Sequence, residues 1–385
     1  MFTQGERIEK VTGLETSLLL TAPHIKETIS GFSASVPTIF LTSRLLPLID
    51  DRPTFLDAPP GSIFLCEGEI VGYVLPPVRE KIPPDDLVDP SRSRVEALAG
   101  VSVTEVKLNS GVIGSIWEFI EANERLLKAD FTLLGGMGSG AESLPDGVTV
   151  IGSGDIVVSG SAEIWPHVVL DARSGPILIE DGVNVLPFSC IEGPSYIGRG
   201  TTINGAVVRG GVTFGPVCRV GGEIECTIFQ GHTNKAHDGF LGHSYVGEWV
   251  NLGAGTTNSD LKNNYSPVRV TLAGRIHDTG MLKMGSLLGD HVKTGIGTLI
   301  NTGGVVGTGC SIFGGGVQPT FVPPFVWGGG GRYQEYRMKD FIETAARVMQ
   351  RRELTLEENQ RLLLESVYQI TGAERADWLA GRKEG

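Results

Sequence analysis

Between about residues 158 and 315 an aliphatic side chain returns at every sixth position and keeps its register over long runs. A period of six matches neither the helical period of about 3.6 residues nor the two-residue alternation of a strand. It matches a triangular coil of three short strands, with the aliphatic side chain inside and a tight corner after each strand. The runs are Val158, Ile164 and Leu170; Ile179, Val185, Ile191, Ile197 and Ile203; Phe240, Val246 and Leu252; and Leu288, Thr294, Ile300, Val306 and Ile312.

Two further positions repeat with the aliphatic one. Two residues earlier the side chain is usually small or β-branched, as at Ser195 and Thr201, and glycine often follows, as at Gly198 and Gly247. Glycine suits corners because it adopts backbone angles that other residues avoid. The pattern therefore predicts a mainly β chain built around a parallel β-helix of hexapeptide repeats, a solenoid that works through its surface and its neighbours.

Changes in pattern divide the chain into four parts. Residues 1–110 lack the repeat and alternate apolar strands with short helices, which predicts a partial α/β domain. Residues 111–133 carry the apolar stripe of a linker helix, including Trp117 and Ile120. Residues 134–330 hold the β-helix, from which the stretch between Asn258 and Lys283 projects as an arm. Residues 331–385 show helical spacing and predict a C-terminal helical cap over the open end.

Composition excludes several classes of partner. The net charge of −12 argues against nucleic acid and against anionic membranes. No apolar run approaches the roughly 18 residues of a membrane span, and the first ten residues lack the apolar core of a secretion signal. The five cysteines are odd in number and show no CxxC spacing, so we expect reduced thiols, no metal site and a cytoplasmic location.

Two long motifs carry a family resemblance. KAHDGFLGHSYVGEWVNLGAGTTNSDL begins at Lys235, and LLGDHVKTGIGTLINTGGVVGTG begins at Leu287. Together they resemble the acetyltransferase domains of the bifunctional sugar-1-phosphate nucleotidyltransferase/acetyltransferases, which are UDP-N-acetylglucosamine diphosphorylases and glucosamine-1-phosphate N-acetyltransferases. FLTSRLLP and the linker helix look closest to a variant bacterial subfamily. The resemblance implies a left-handed β-helix and an N-terminal nucleotidyltransferase-like domain that is truncated.

The resemblance also implies site residues. His237 matches the family's catalytic histidine, a general base, and an imidazole with its ordinary pKa of about 6.5 suits that role. Ala254 matches the residue whose backbone N–H faces the thioester carbonyl of the coenzyme. Asn251 and Glu223 match sugar contacts, while Phe240 stands where relatives often have a sugar-binding tyrosine. His243 is interpreted as a structural residue on the same corner as His237.

Several lysines are candidates for holding phosphates. Lys235 or Lys262 could contact the sugar phosphate, and Lys293 or Lys283 could pair with the phosphates of coenzyme A. For each of them a solvated surface lysine is the alternative.

The resemblance predicts an acyltransferase that moves an acetyl group from acetyl-CoA to the amino group of a sugar phosphate, with glucosamine 1-phosphate as first candidate. We expect a homotrimer, because the coenzyme groove of such solenoids lies between subunits. One alternative is a bifunctional enzyme that also makes the nucleotide sugar and needs Mg²⁺ for that step. It is disfavoured because residues 1–60 contain only three widely spaced glycines instead of a phosphate-binding loop. The other alternative is a non-catalytic trimeric scaffold that binds a nucleotide sugar.

Overall fold

The computed structural model of the chain describes residues 32–42, 44–82, 96–133, 144–152 and 155–382. Contacts within the chain separate it into two units, with the division between Ser115 and Ile116. Within the described ranges, no helix combines the length and apolar character needed to cross a membrane.

Short strands form most of the described N-terminal unit. A four-stranded sheet has the order Thr38–Leu41, Glu69–Leu75, Ser62–Cys66, Thr104–Lys107, and only its last pair of strands is parallel. Phe32–Ala34 pairs with Val78–Ile82, and Leu45–Leu46 pairs with Gly111–Val112. The described helices are the α-helix Arg52–Asp57 and the 3-10 helices Ile49–Asp51 and Glu96–Leu98. The apolar strands predicted within residues 1–110 are confirmed at Thr38–Leu41, Ser62–Cys66 and Glu69–Leu75, whereas the apolar stretch 17–29 lies outside the described residues.

The second unit is a parallel β-solenoid with three faces, which confirms the predicted β-helix. Face 1 contains Ile156–Val158, Ile177–Ile179, Ser195–Ile197, Val212–Phe214, Ile228–Phe229, Tyr245–Val246, Ser286–Leu288, Gly304–Val306 and Phe321–Val322. Face 2 contains Glu163–Ile164, Asn184–Val185, Thr202–Ile203, Arg219–Val220, Asn234–Lys235, Lys293–Thr294, Ser311–Ile312, Val326–Gly329 and Arg332–Glu335. Face 3 contains Thr149–Ile151, Val169–Asp171, Cys190–Glu192, Val207–Val208, Glu223–Glu225, Phe240–Gly242, Thr257–Asn258, Thr298–Ile300 and Gly316–Val317. Isolated bridges from Asn251 to Asn234 and to Lys293 connect the two halves of face 2.

The predicted aliphatic runs fill the interior of the solenoid. Val185, Ile191, Ile197 and Ile203 are completely buried, because each occupies the inward position of its strand. One member of the predicted runs is wrong. Leu241 rather than the neighbouring Phe240 is the fully buried residue of its strand, so Phe240 occupies the outward register.

Face 1 is covered from outside. The predicted linker helix spans Ile116–Leu133, and its Ile120 packs with Ile228 and Leu287 of the face. The stretch between Asn258 and Lys283 was predicted to project as an arm. Instead it contains the antiparallel hairpin Arg269–Leu272 and Arg275–Asp278, and it lays buried apolar side chains, Val268 and Val270 among them, into the same cluster.

Helices Met338–Gln350, Glu358–Ile370 and Gly372–Ala380 form the C-terminal part of the unit. Phe341 of the first helix packs edge-on against Phe325 and His291, which occupy the corner between faces 1 and 2 at positions two coils apart. Glu357 and Gln360 form a capping box at the start of the second of these helices. The Trp378 ring nitrogen donates to the carbonyl of Phe321 in the last coil, at 3.0 Å, as expected of a cap.

Candidate functional site

His237 lies at an exposed corner of the solenoid, between face 2 and face 3. Its corner borders an open surface groove of about 800 Å³, which continues over the equivalent corners of the next two coils. The groove is lined by Ala236, His237, Asp238, Ala254, Gly255, Ile296 and Gly297. The imidazole makes no hydrogen bond with another residue in the part of the chain that the structure describes, so both ring nitrogens are available to a ligand.

The backbone of this corner lies close to the following coil. Gly239 has a φ of 126°, and a Cβ atom there would overlap the carbonyl oxygen of Thr256. Gly255 donates its N–H to the carbonyl of Asp238 at 3.0 Å, which fixes the two corners against each other. Only glycine fits such a backbone approach without displacing the strand.

The backbone N–H of Ala254 is available to donate a hydrogen bond to a thioester carbonyl. Gly253 and Gly255 on either side donate to Thr294 and Asp238, whereas the Ala254 N–H has no acceptor among the described residues. Ala254 is exposed in the same groove as His237. The structure therefore brings together the two residues predicted to perform the chemistry.

The substrate contact predicted for Lys235 is wrong. The side chain lies inside the prism, in register with Val220, and it is only 1% exposed. Its ammonium donates to the carbonyl oxygens of Gly221 at 3.0 Å and of His237 at 2.5 Å. Burial lowers the pKa of Lys235 to about 8, although the charge of Asp238 opposes the shift. Lys235 thus binds the backbone of the His237 corner from inside the solenoid and does not bind a ligand on its surface.

The coenzyme contact predicted for Lys293 is also wrong. Its ammonium donates to the carbonyl oxygens of Trp249 at 2.5 Å and of His291 at 3.2 Å. Burial lowers the pKa of this lysine to about 8, and its donors are directed into the corner rather than toward the groove. Lys262 donates to the carbonyl of Pro267 at 2.7 Å within its own loop, so its substrate contact stays a prediction.

Asn251 is exposed on the outer side of face 2, beside Asn234. Its carbonyl oxygen accepts a hydrogen bond of 3.3 Å from the Asn234 amide. Arg352 lies just after the first C-terminal helix and donates to the side-chain carbonyl oxygen of Asn234 at 3.0 Å, a contact that was not predicted. Because 118 residues separate these partners, no local spacing could have revealed the contact.

Glu223 and Phe240 are paired on adjacent strands at the outer side of face 3, and the strand of Phe240 directly follows the His237 corner. Arg209 forms an ion pair of 2.7 Å with Glu223, and the sequence analysis missed it as well. The Glu223 carboxylate and the Phe240 ring therefore form a polar and an apolar element side by side, an arrangement that suits a sugar.

His243 does not share a corner with His237, contrary to the prediction. The two residues lie at opposite ends of strand Phe240–Gly242, since each hexapeptide builds one side of the triangle. The Nδ1 atom of His243 lies 2.7 Å from the Asp260 carboxylate. Burial opposes protonation of His243, but the hydrogen bonds with Asp260 and Cys226 outweigh it and raise its pKa to about 9. Lys283, predicted to bind the coenzyme, pairs here with Glu225 at 3.3 Å.

Comparison with known proteins supports the resemblance seen in the motifs. The chain is 28% identical over 176 residues to the bifunctional protein GlmU of Nostoc sp., a match that covers 40% of this chain and 35% of that protein. It is 32% identical over 95 residues to a bifunctional sugar-1-phosphate nucleotidylyltransferase/acetyltransferase of Sulfurisphaera tokodaii, covering 25% and 24%. Over these ranges the chain is similar to proteins named as bifunctional. It spans 35% and 24% of the lengths of these two relatives, and no family model matches it.

Solved structures similar to the chain include two transferases. A hexapeptide transferase family protein from Anaplasma phagocytophilum is 13% identical, covers 62% of this chain and 96% of its own, and has a TM-score of 0.19. PerB from Caulobacter crescentus, solved in complex with CoA and GDP-perosamine, is 16% identical, covers 62% and 86%, and has a TM-score of 0.14.

Proposed function

We propose that the chain transfers an acetyl group from acetyl-CoA to the amino group of a sugar phosphate, with glucosamine 1-phosphate as the first candidate. The observation that carries this proposal is the pairing of an unengaged imidazole, His237, with an unengaged backbone N–H, that of Ala254, in one groove. The relatives named as bifunctional nucleotidyltransferase/acetyltransferases support the same reaction class.

In the proposed reaction the amine nitrogen attacks the thioester carbonyl while the His237 imidazole removes a proton from that nitrogen. A positioned general base of this kind accelerates the step by about 10²–10⁴-fold. The Ala254 N–H donates to the developing oxyanion, a contribution of about 3 kcal/mol for a well-placed donor. When the tetrahedral intermediate collapses, the carbon–sulfur bond breaks and the imidazolium returns its proton to the coenzyme thiolate. The carbon–nitrogen bond remains, and His237 is regenerated.

The acceptor sugar would lie between the His237 corner and face 3. Phe240 offers an apolar surface for the sugar ring, and the Glu223 carboxylate, held by Arg209, can accept from sugar hydroxyls. Asn251 offers an amide nitrogen that has no partner among the residues that the structure describes. Glu223 and Phe240 lie on face 3 and Asn251 lies on face 2, so the proposed sugar contacts lie on both sides of the His237 corner.

A second copy of the chain would supply the remaining wall of the groove. Ile296 and Val317 are 75% and 64% exposed on or beside the groove, which leaves apolar surface for a neighbouring subunit. We therefore include a homotrimer in the proposal. Analytical ultracentrifugation of the purified chain tests it, and a monomer at catalytic concentrations would contradict it.

Mass spectrometry of acetyl-CoA mixed with amino-sugar phosphates tests the activity. His237→Asn should lower kcat/KM by about 10²–10⁴-fold, because it removes the base and leaves a residue of similar size. His167→Asn is the matched control, since His167 is an exposed histidine on the same edge of the solenoid, between faces 2 and 3. Unchanged turnover in His237→Asn would remove the proposed base. Binding of a nucleotide sugar without any acetyl transfer would favour the scaffold alternative.

A nucleotidyl-transfer activity is the second candidate, because the relatives are named as bifunctional. Release of pyrophosphate from UTP and a sugar 1-phosphate in the presence of Mg²⁺ tests it on the same preparation. That activity should be insensitive to His237→Asn, so the two reactions are distinguishable.

A further inference from the structure

A cluster with three kinds of metal-binding atom lies at the corner between face 3 and face 1, away from the His237 groove. Glu225 and Cys226 end one strand of face 3, and His243 follows the next strand. One ligand atom from each residue lies within 4.8 Å of the other two. The carboxylate oxygen, the thiol sulfur and the imidazole nitrogen are the donor types that zinc takes from proteins.

The backbone fixes these residues before any ligand binds. Cys226 and His243 have φ values of 43° and 47°, so both occupy the same left-handed position in successive corners. The His243 N–H donates to the carbonyl of Glu225 at 3.0 Å, and the Cys226 N–H donates to Gly210 at 3.2 Å. Because the coils themselves hold the corner, the side chains can approach an ion without refolding of the backbone.

Asp260 provides the second, independent observation. Its carboxylate lies 2.7 Å from Nδ1 of His243, which leaves Nε2 as the ring nitrogen for another partner. Histidine ligands of metals typically donate their other ring N–H to a carboxylate, which fixes the orientation of the ring. Asp260 and His243 are each 14% exposed at the side chain, so this contact is largely shielded from water.

A cation already occupies the edge of the cluster. The Lys283 ammonium pairs with Glu225 at 3.3 Å, but its side chain is 46% exposed. An exposed ion pair of this kind contributes only about 0–1 kcal/mol, so a divalent ion can displace the ammonium at little cost. With bonds of about 2.0–2.3 Å to zinc, tetrahedral ligand atoms lie about 3.5 Å apart. Since the three ligand atoms lie within 4.8 Å of one another, no pair of them needs to approach by more than about 1.3 Å.

We propose that Glu225, Cys226 and His243 bind a divalent transition-metal ion of the zinc class, with Asp260 orienting the histidine. Three protein ligands leave a fourth coordination position open to solvent, which is the arrangement of sites that take an exchangeable ligand rather than of closed structural sites. The site lies apart from the His237 groove, because His237 and the cluster are at opposite ends of strand Phe240–Gly242.

Titration of the chelator-treated full chain, without a histidine tag, with Co²⁺ alone tests the site. We expect one equivalent to produce a thiolate-to-cobalt absorption band in the near ultraviolet, and Zn²⁺ to abolish that band. Cys226→Ser should remove the band, and Asp260→Asn should weaken binding by about 10–100-fold. Cys190→Ser is the matched control, because Cys190 is another partly exposed thiol on face 3. No band at one equivalent, or a band that persists in Cys226→Ser, would overturn the proposal.

A measurement on the unmodified chain guards against a variant that fails to fold. Stoichiometric Zn²⁺ should slow alkylation of Cys226 by iodoacetamide at least tenfold, while alkylation of Cys190 keeps its rate. Peptide mass spectrometry distinguishes the two thiols. Equal rates at Cys226 with and without Zn²⁺ would contradict the site even if both variants proved unstable.

Discussion

Replacement of Lys235 by methionine separates a stability effect from a catalytic one. The ammonium of Lys235 is buried, and its pKa falls from the ordinary value of 10.5 to about 8. A shift of about 2.5 units corresponds to about 3 kcal/mol of unfavourable free energy for keeping the charge in the folded state. Against this stand its two hydrogen bonds to the carbonyls of Gly221 and His237. Charge-assisted bonds contribute about 1.5–3 kcal/mol each, so methionine should lower the free energy of unfolding at neutral pH by about 0–3 kcal/mol.

The pH dependence of stability is the sharper measurement. A lysine whose folded-state pKa is lowered destabilises the fold at low pH, and that penalty disappears as pH rises from the folded pKa toward the unfolded one. Between about pH 7.5 and about pH 10, a shift from 10.5 to about 8 should therefore add about 2 kcal/mol to the free energy of unfolding. Lys293 shows the same lowered pKa and the same bonding to two carbonyls. Lys235→Met and Lys293→Met should each lose about 2 kcal/mol of this rise, measured by urea unfolding at fixed protein concentration.

Catalysis should distinguish the two variants. Only Lys235 donates to the carbonyl of His237, so Lys235→Met should let the His237 corner shift and lower kcat/KM by about 10–100-fold. Lys293→Met should keep acetyl transfer within about twofold while showing the same change in pH-dependent stability. If both variants lost activity equally, the effect would be general loosening of the solenoid. If Lys235→Met kept full activity, the reasoning about this corner would be refuted.

Two further predictions concern the corners. Gly239→Ala should lower the free energy of unfolding by more than about 1 kcal/mol and reduce acetyl transfer, because its Cβ would overlap the Thr256 carbonyl. Gly182→Ala is the control with a φ of 64° and open space around it, and equal losses in the two variants would contradict the overlap. His291 should make the fold sensitive to acid, since burial lowers its pKa from 6.5 to about 3. The stability that the neutral ring maintains above about pH 6.5 is lost toward pH 3, by up to about 5 kcal/mol. His291→Phe should remove this loss in unfolding titrations, because Phe325 occupies the same corner position two coils further on; an unchanged acid profile would argue against it.

The sequence repeat was sufficient to predict the solenoid because every coil has the same residue types at the same positions. An aliphatic residue at every sixth position must be buried, and three short strands are the arrangement that buries all of them. Residues such as Val185, Ile191 and Ile197 therefore lie where their spacing placed them. The linker helix and the C-terminal helices followed in the same way from apolar stripes, as at Ile120, Phe341 and Ala345.

The errors arose where the period was interrupted. The buried residues Val220, Ile224 and Phe229 are spaced by four and five residues instead of six, so that Lys235 rather than Asn234 continues the inward column of Val220. No hexapeptide count could assign an inward lysine, because its burial depends on two carbonyl acceptors from neighbouring corners. The inward position is likewise one residue later than predicted in the next strand, at Leu241 instead of Phe240.

Other parts of the site depend on residues far apart in sequence. Arg352 reaches Asn234 from a C-terminal segment, and Asp260 reaches His243 from beyond the following coil. Spacing within a motif carries no information about such contacts. The resemblance identified His237 and Ala254, whereas the contribution of Arg209 and the cluster around Cys226 required the three-dimensional arrangement.

The hairpin between Asn258 and Lys283 leaves the solenoid and returns without disturbing it. Strand Tyr245–Val246 pairs directly with Ser286–Leu288, as if the intervening residues were absent. The two walls of the groove at Ala254 and Ile296 are consequently 42 positions apart in the chain and yet adjacent in space. The excursion stays anchored where Val268 and Val270 are buried against face 1. Its exposed turn can change in sequence or length while the walls of the groove keep their alignment.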